Sequence, residues 1–291
     1  MNILVAPPAR TGAERLPDGR LLGWAEWGPP DGTPVLLSPG AATSRRLGFG
    51  AAAADELGVR LISLDRPGLG ASTPAPGRTF ADFAAGVRAF AAGLGRPAMV
   101  GNSQGAPFAL ACAAAGVVGA LALVSAADEV ADPRFADVLP GELRRLTELS
   151  EHDPEAAEKI FSGFTPQAMW DLVTGGSPAC DLAVYERADF AAAYREALRE
   201  AFAQGPAGYA RDTVLAMGRW GIDLAAIRVP VDVWYGELDG SHSPDLGEGL
   251  TARIPGAVRH VVPGIGGALL WTEPHRILRA LLDRLAASPQ R

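Results

Sequence analysis

An α/β fold with a mostly parallel central sheet is what this sequence predicts, and three observations carry the prediction. Short, continuously apolar runs recur along the chain, as in strands buried on both faces. Ala-rich helical stretches separate them, and parallel neighbours need crossover connections of that kind. One segment, 128–228, carries no strand pattern and reads as a helical insertion interrupting a single sheet.

The apolar stretch 21–27 closes on Gly28-Pro29-Pro30-Asp31-Gly32, whose prolines cannot donate to a ladder, so strands are expected on either side. Residues 34–38 are continuously apolar and stop at Pro39-Gly40; residues 59–64 repeat the pattern and stop at Asp65-Arg66-Pro67-Gly68-Leu69-Gly70. Between them, 44–57 is Ala-rich and helical in character. Thr79 is placed to cap a helix over 80–94. A strand over 97–101, a helix over 104–115 and a strand over 118–125 follow. Within the insertion, Asp153-Pro154 and Thr165-Pro166 each set a capping side chain before a proline at the first helical position, and 189–202 is rich in helix formers. Strands resume at 229–235 and 258–262, and 274–285 is an amphipathic last helix. The expected organisation is a core of 1–127 and 229–291 around the insertion 128–228.

The chain has 291 residues, 48% of them hydrophobic, enough for one well-buried core. Its 26 Lys and Arg stand against 33 Asp and Glu, so no basic surplus exists to neutralise a phosphate backbone, and nucleic acid is not an expected partner. Cys112 and Cys180 make no disulfide framework and no zinc site alone; they read as buried thiols. Residues 1–20 lack a basic start followed by a long apolar run, so neither a signal peptide nor a membrane anchor is expected and the location reads as cytoplasmic. Gly68-Leu69-Gly70 lacks the rest of a dinucleotide fingerprint and no Walker lysine pattern is present. No cofactor or metal is expected, the partner is a small-molecule substrate, and the oligomeric state is left open.

The chemistry centres on Gly101-Asn102-Ser103-Gln104-Gly105, a G-x-S-x-G pattern between a predicted strand and a predicted helix. A serine on so sharp a turn needs residues without Cβ two places before and after it. The turn lifts the hydroxyl above the sheet edge and aims helix-start N–H groups at a developing oxyanion.

On these residues the sequence resembles the α/β-hydrolase superfamily, from about Leu16 to Leu285 outside the insertion. Asp65-Arg66-Pro67-Gly68-Leu69-Gly70-Ala71-Ser72 is similar to the family's turn after its fourth strand, and Ile227-Arg228-Val229-Pro230 to its approach to the acid-bearing strand. The resemblance implies that Ser103 is the nucleophile and that the insertion caps the substrate pocket. Pro39-Gly40-Ala41 falls where the family usually has His-Gly-x, so Ala41 and Gln104 would supply the oxyanion-hole N–H groups. Tyr235-Gly236-Glu237-Leu238-Asp239 matches the position of the family acid, which makes Asp239 the candidate carboxylate; Asp128 is an alternate acid, and Glu237 reads as structural or pocket-lining.

The departure is at histidine. The family base follows the last strand in a pattern like Pro-Gly-x-Gly-His, whereas here Pro263-Gly264-Ile265-Gly266-Gly267 puts Gly267 in its place. An unassisted serine hydroxyl is a poor nucleophile at neutral pH, so the base has moved or the chemistry has changed. Of the four histidines, His152 falls in the insertion, His260 within the last strand and His275 at the start of the last helix. His242, three residues after Asp239 in a loop at the same sheet edge, is the candidate relocated base; a loop histidine facing solvent is the competing reading. A serine hydrolase of an ester, lactone or thioester is expected first, a lyase, cyclase or isomerase second, and a silent ligand-binding protein third.

Overall fold

The computed structural model describes residues 4–288, so the first three residues of the stretch read for a leader lie outside it. The chain begins with β1 (Arg10–Arg15), β2 (Leu21–Trp27) and β3 (Thr33–Ser38), followed by α1 (Ala51–Leu57) and β4 (Val59–Leu64). Next come α2 (Phe80–Phe90), β5 (Ala98–Asn102), α3 (Gly105–Ala114) and β6 (Ala120–Val124). Six helices then intervene: α4 (Gly141–His152), α5 (Pro154–Phe161), α6 (Pro166–Gly175), α7 (Ala179–Tyr185), α8 (Ala188–Ala201) and α9 (Ala207–Met217). The chain ends with β7 (Val231–Gly236), α10 (Glu248–Ala252), β8 (Val258–Val262), α11 (Leu269–Thr272) and α12 (Pro274–Ala287).

Among the described residues the eight strands form one sheet in the order β1-β2-β4-β3-β5-β6-β7-β8. The pairs from β4 through β8 are parallel, and only β1 and β2 run antiparallel to their neighbours. Side-chain alternation divides the core between the two faces. Val35 and Leu37 of β3 join a cluster with Ile277 and Leu281 of α12, while Leu36 between them joins Phe83 of α2 and Phe108 of α3. The first cluster extends into the insertion through Phe161, Met169, Phe190 and Tyr209. Among the described residues no helix is long and apolar enough to cross a membrane.

Register brings the working loops together. Ser38 pairs with Gly101, Asn102 with Val124, Val124 with Trp234 and Gly236 with Val262, so β3, β5, β6, β7 and β8 end along one edge. That edge is where open parallel sheets place ligands.

The predicted caps form. Thr79 and Asp82 make a reciprocal capping box, and Asp153 and Thr165 accept from the N–H groups of Ala156 and Ala168 at 3.0 and 3.1 Å. The helix expected over 44–57 instead begins at Ala51. The buried Asp65 carboxylate takes the Arg45 backbone N–H at 2.6 Å, and Gly50 adopts a left-handed φ of 55°, so 44–50 stays irregular. Three elements were not expected: β1, a polar edge strand exposed along most of its length, the five-residue α10, opened by Gly247 at φ 72°, and the four-residue α11. Of the two thiols Cys112 is buried, but Cys180 is only half-buried, because it sits at the start of α7 where the insertion meets the sheet edge.

Candidate active site

Ser103 stands between β5 and α3 with a φ of 49°, a conformation rare for a residue with a Cβ. Its backbone is over-determined. The N–H donates to Val124 O at 3.2 Å, and the carbonyl accepts from Ala106 and Ala127, each at 3.0 Å. The flanking glycines are required by contact: a methyl on Gly101 would meet Ala109 Cβ at 2.7 Å, and one on Gly105 would meet Ser38 O at 2.1 Å. Ser103 itself remains half-buried.

The loop after β3 lies against this serine, since a methyl on Gly40 would come within 3.4 Å of Ser103 Cβ. Among the described residues, no acceptor meets the N–H of Ala41 or of Gln104. Arg66 holds this loop. Its guanidinium is fully buried and donates to the carbonyls of Pro39 and Gly40, the latter at 2.9 Å, and pairs with Asp212 at 2.6 Å. Asp212, on α9, also takes Arg78, and the Gln104 amide donates to Thr213 Oγ1 at 3.0 Å. The inserted segment thus anchors both halves of the candidate oxyanion loop.

Asp239 and His242 leave β7 on one loop, the acid buried and the imidazole partly exposed. His242 Nδ1 lies 2.8 Å from Asp239 Oδ1 and 3.0 Å from Oδ2, and the Ser241 N–H also donates to Oδ1 at 3.3 Å. With Nδ1–H given to the carboxylate, Nε2 is left as the basic nitrogen. Burial alone would raise the Asp239 pKa, but the charge and hydrogen bond of His242 outweigh it and hold it below the ordinary carboxylate value. Burial alone would lower His242; the Asp239 and Asp181 carboxylates outweigh that and raise it.

Gly267 is where the imidazole finds its room. A methyl there would meet His242 Cε1 at 2.8 Å and Nδ1 at 3.3 Å, so the ring occupies space that any other residue at 267 would fill. Beneath it, Asp181 from α7 accepts from Gly266, Gly267 and Ala268 N–H at 3.1, 2.7 and 3.2 Å.

Asp128 is engaged away from the ring. Its carboxylate takes Arg134 and Ser243 Oγ, each at 2.8 Å, while its N–H donates to the His242 carbonyl at 3.0 Å. Burial pushes its pKa up. Glu237 is exposed and accepts the Gly264 N–H at 3.3 Å. The remaining histidines are occupied or exposed: His260 stacks on Trp234 with centroids 3.9 Å apart and meets Asp232, His275 meets Glu56, and His152 is exposed at the end of α4. Trp234 and Trp271 are core aromatics, and Phe161, Met169 and Trp170 pack into the core beneath the insertion.

Arg66, Asp181 and Asp212 were not singled out by sequence reasoning. Their partners lie 26 to 146 residues away; Arg66 stands in the turn 65–72, but nothing local points to its partners, and no local pattern marks Asp181 or Asp212. The one trace in the sequence is the Gly266-Gly267 pair, which the carboxylate and the imidazole both require.

A profile of the alpha/beta hydrolase fold family matches residues 33–274. Comparison with curated proteins returns no match. Among solved structures, an esterase from Rhodococcus sp. is 21% identical with a TM-score of 0.66, covering 96% of this chain and 99% of that one. An enol-lactonase from Burkholderia xenovorans is 18% identical with a TM-score of 0.67, covering 94% of this chain and 100% of that one. A bromoperoxidase from Bacillus anthracis is 17% identical with a TM-score of 0.67, covering 95% of this chain and 100% of that one. At these identities the likeness speaks for the architecture alone, whereas the profile spans most of the sequence. The chain therefore belongs to the α/β-hydrolase fold family.

Proposed function

We propose that this protein is a serine hydrolase of small to medium carboxylic esters, lactones or thioesters, acting through an acyl-enzyme on Ser103. The observation that carries the reading is the Asp239–His242 pair, at 2.8 Å, filling the space above Gly267. His242 Nε2 takes the Ser103 proton as Oγ attacks the carbonyl carbon, and the carbonyl electrons move onto oxygen. The free N–H groups of Ala41 and Gln104 receive that oxyanion. The intermediate collapses, the C–O or C–S bond breaks, and the leaving alkoxide or thiolate takes the proton from His242. Water then attacks the acyl-enzyme by the same route and regenerates Ser103. Asp239 keeps the imidazole in the Nδ1–H tautomer, and residues 128–228 act as the cap over the pocket. Asp128 is assigned to holding the His242 loop rather than to the alternate acid role.

Fluorophosphonate labelling with adduct mapping tests this directly. A wild-type adduct on Ser103, absent in Ser103→Ala, with a turnover loss of about 10² to 10⁴ in His242→Ala, is the expected result. A second reading, non-hydrolytic lyase, cyclase or isomerase chemistry, is favoured by Gly267 standing where the family's histidine would be. Turnover that survives in Ser103→Ala without labelling would select it.

A further inference from the structure

We propose that Asp181, supplied by the inserted helix α7, is a positioning residue that shapes residues 266–268 into the cradle for the His242 imidazole. The inference rests on the serine-hydrolase reading for its kinetic consequence, and on geometry alone for the placement of the ring.

The Asp181 carboxylate is buried to 1% exposure and accepts three successive backbone N–H groups at 2.7 to 3.2 Å, the arrangement of an anion nest. Among the described residues no cation pairs with it. Its charge is met by those N–H groups and by the nearby imidazole, whose protonated form it favours alongside Asp239. The fit is tight enough to dictate sequence: a methyl on Gly266 would meet Asp181 Oδ2 at 2.3 Å. A methyl on Gly267 would come within 4 Å of both the carboxylate and the His242 ring. Asp181 therefore draws residues 266–268 inward, flattens the glycine pair against α7, and clears the volume the imidazole occupies. A carboxylate from the insertion and a histidine from the β7 loop together fill the region in which the family's own histidine would stand.

Asp181→Asn tests the assignment, because the amide keeps the size but removes the charge and turns an NH₂ toward one or more of the three N–H donors. Three readouts are followed: kcat and KM on a p-nitrophenyl ester, melting temperature, and the NMR titration of His242 Cε1–H, assigned by its absence in His242→Gln. The expected result is a roughly 10- to 100-fold fall in kcat with KM little changed. The His242 midpoint should move to lower pH. A variant that melts earlier while keeping wild-type kcat and the wild-type His242 midpoint would show Asp181 to be only a latch between insertion and core, and would overturn the proposal.

Should wild-type protein fail to label with fluorophosphonate, the hydrolase reading falls separately. The titration then decides alone, with an unmoved midpoint in Asp181→Asn overturning the placement argument and a lowered one sustaining it. If Asp181→Asn does not fold, Asp181→Glu retains charge and acceptors but displaces them by a methylene. Reduced kcat, or without turnover a shifted His242 Cε1–H resonance, is then expected, and wild-type values of both would refute the role.

Discussion

Replacing Gly267 with alanine asks the imidazole of His242 to surrender space it now fills. The added methyl would sit 2.8 Å from Cε1, where ordinary contacts begin at 3.4 Å, so the ring must withdraw by about 0.6 Å. It cannot do so freely, because Nδ1 is held 2.8 Å from Asp239 Oδ1 on the same short loop. Displacing a catalytic group by ~1 Å costs on the order of 10²-fold, so kcat/KM should fall roughly 10- to 100-fold, mostly in kcat. The backbone at 267 is not left-handed, so alanine brings no conformational strain of its own. Gly240→Ala is the matched control, since its methyl meets no atom within 4 Å although it lies between the same acid and base. Steady-state hydrolysis of a p-nitrophenyl ester, with the rate of fluorophosphonate labelling as a second measure, reads both variants. A Gly267→Ala enzyme indistinguishable from Gly240→Ala would refute the claim that the imidazole works from this position.

Ser103→Ala should abolish labelling and turnover while the melting temperature holds, because little buried surface is lost; retained turnover would exclude the acyl-enzyme. The base must be neutral to act and its pKa is raised, so kcat/KM should be lost as pH falls through a value above the ordinary 6.5, and Asp239→Asn should move that limb to lower pH. The same shifts bear on stability: the His242 contribution is full below 6.5 and fades as pH rises through its folded value, whereas that of Asp239 is full above 3.8 and fades as pH falls through its lower folded value. Urea melts of His242→Ala and Asp239→Asn against wild type across pH check both signs. Arg66→Met should cost about 3–5 kcal/mol in urea denaturation, because it removes one of the two cations from the fully buried Asp212 and frees the carbonyls of the 39–41 loop; a loss below about 1 kcal/mol would contradict the account of that loop.

The strands 59–64 and 258–262 were legible residue for residue. The first is a mid-sheet strand with a nearly unbroken apolar run, and the second, an edge strand, is framed by Pro255-Gly256 before it and Pro263-Gly264 after it. Ser103 was legible for a different reason, namely that Gly101 and Gly105 are steric necessities whose absence of Cβ is visible in the sequence itself. The contact of His242 with Asp239 was legible through their spacing. By contrast β1 has no apolar alternation to betray it; it is held to β2 by the backbone ladder and by Arg10, which donates to Glu26 at 2.8 Å. The start of α1 was misread because Ala-rich composition does not reveal that Asp65, twenty residues on, claims the Arg45 N–H. Arg66 and Asp212 stand 146 residues apart, and the charge of each looks like ordinary surface chemistry until the fold buries both.

The proposed acid and base, Asp239 and His242, are neighbours in the chain, three residues apart on one loop. Their mutual orientation is consequently set largely by a few backbone torsions of one loop. The long-range alignments that remain are those of this loop with the serine turn and with residues 266–268, where Gly267 and Asp181 make room for the ring. The pair is also heritable as a unit: exchanging residues 239–242 carries carboxylate and imidazole together, provided the recipient has a glycine where this chain has Gly267.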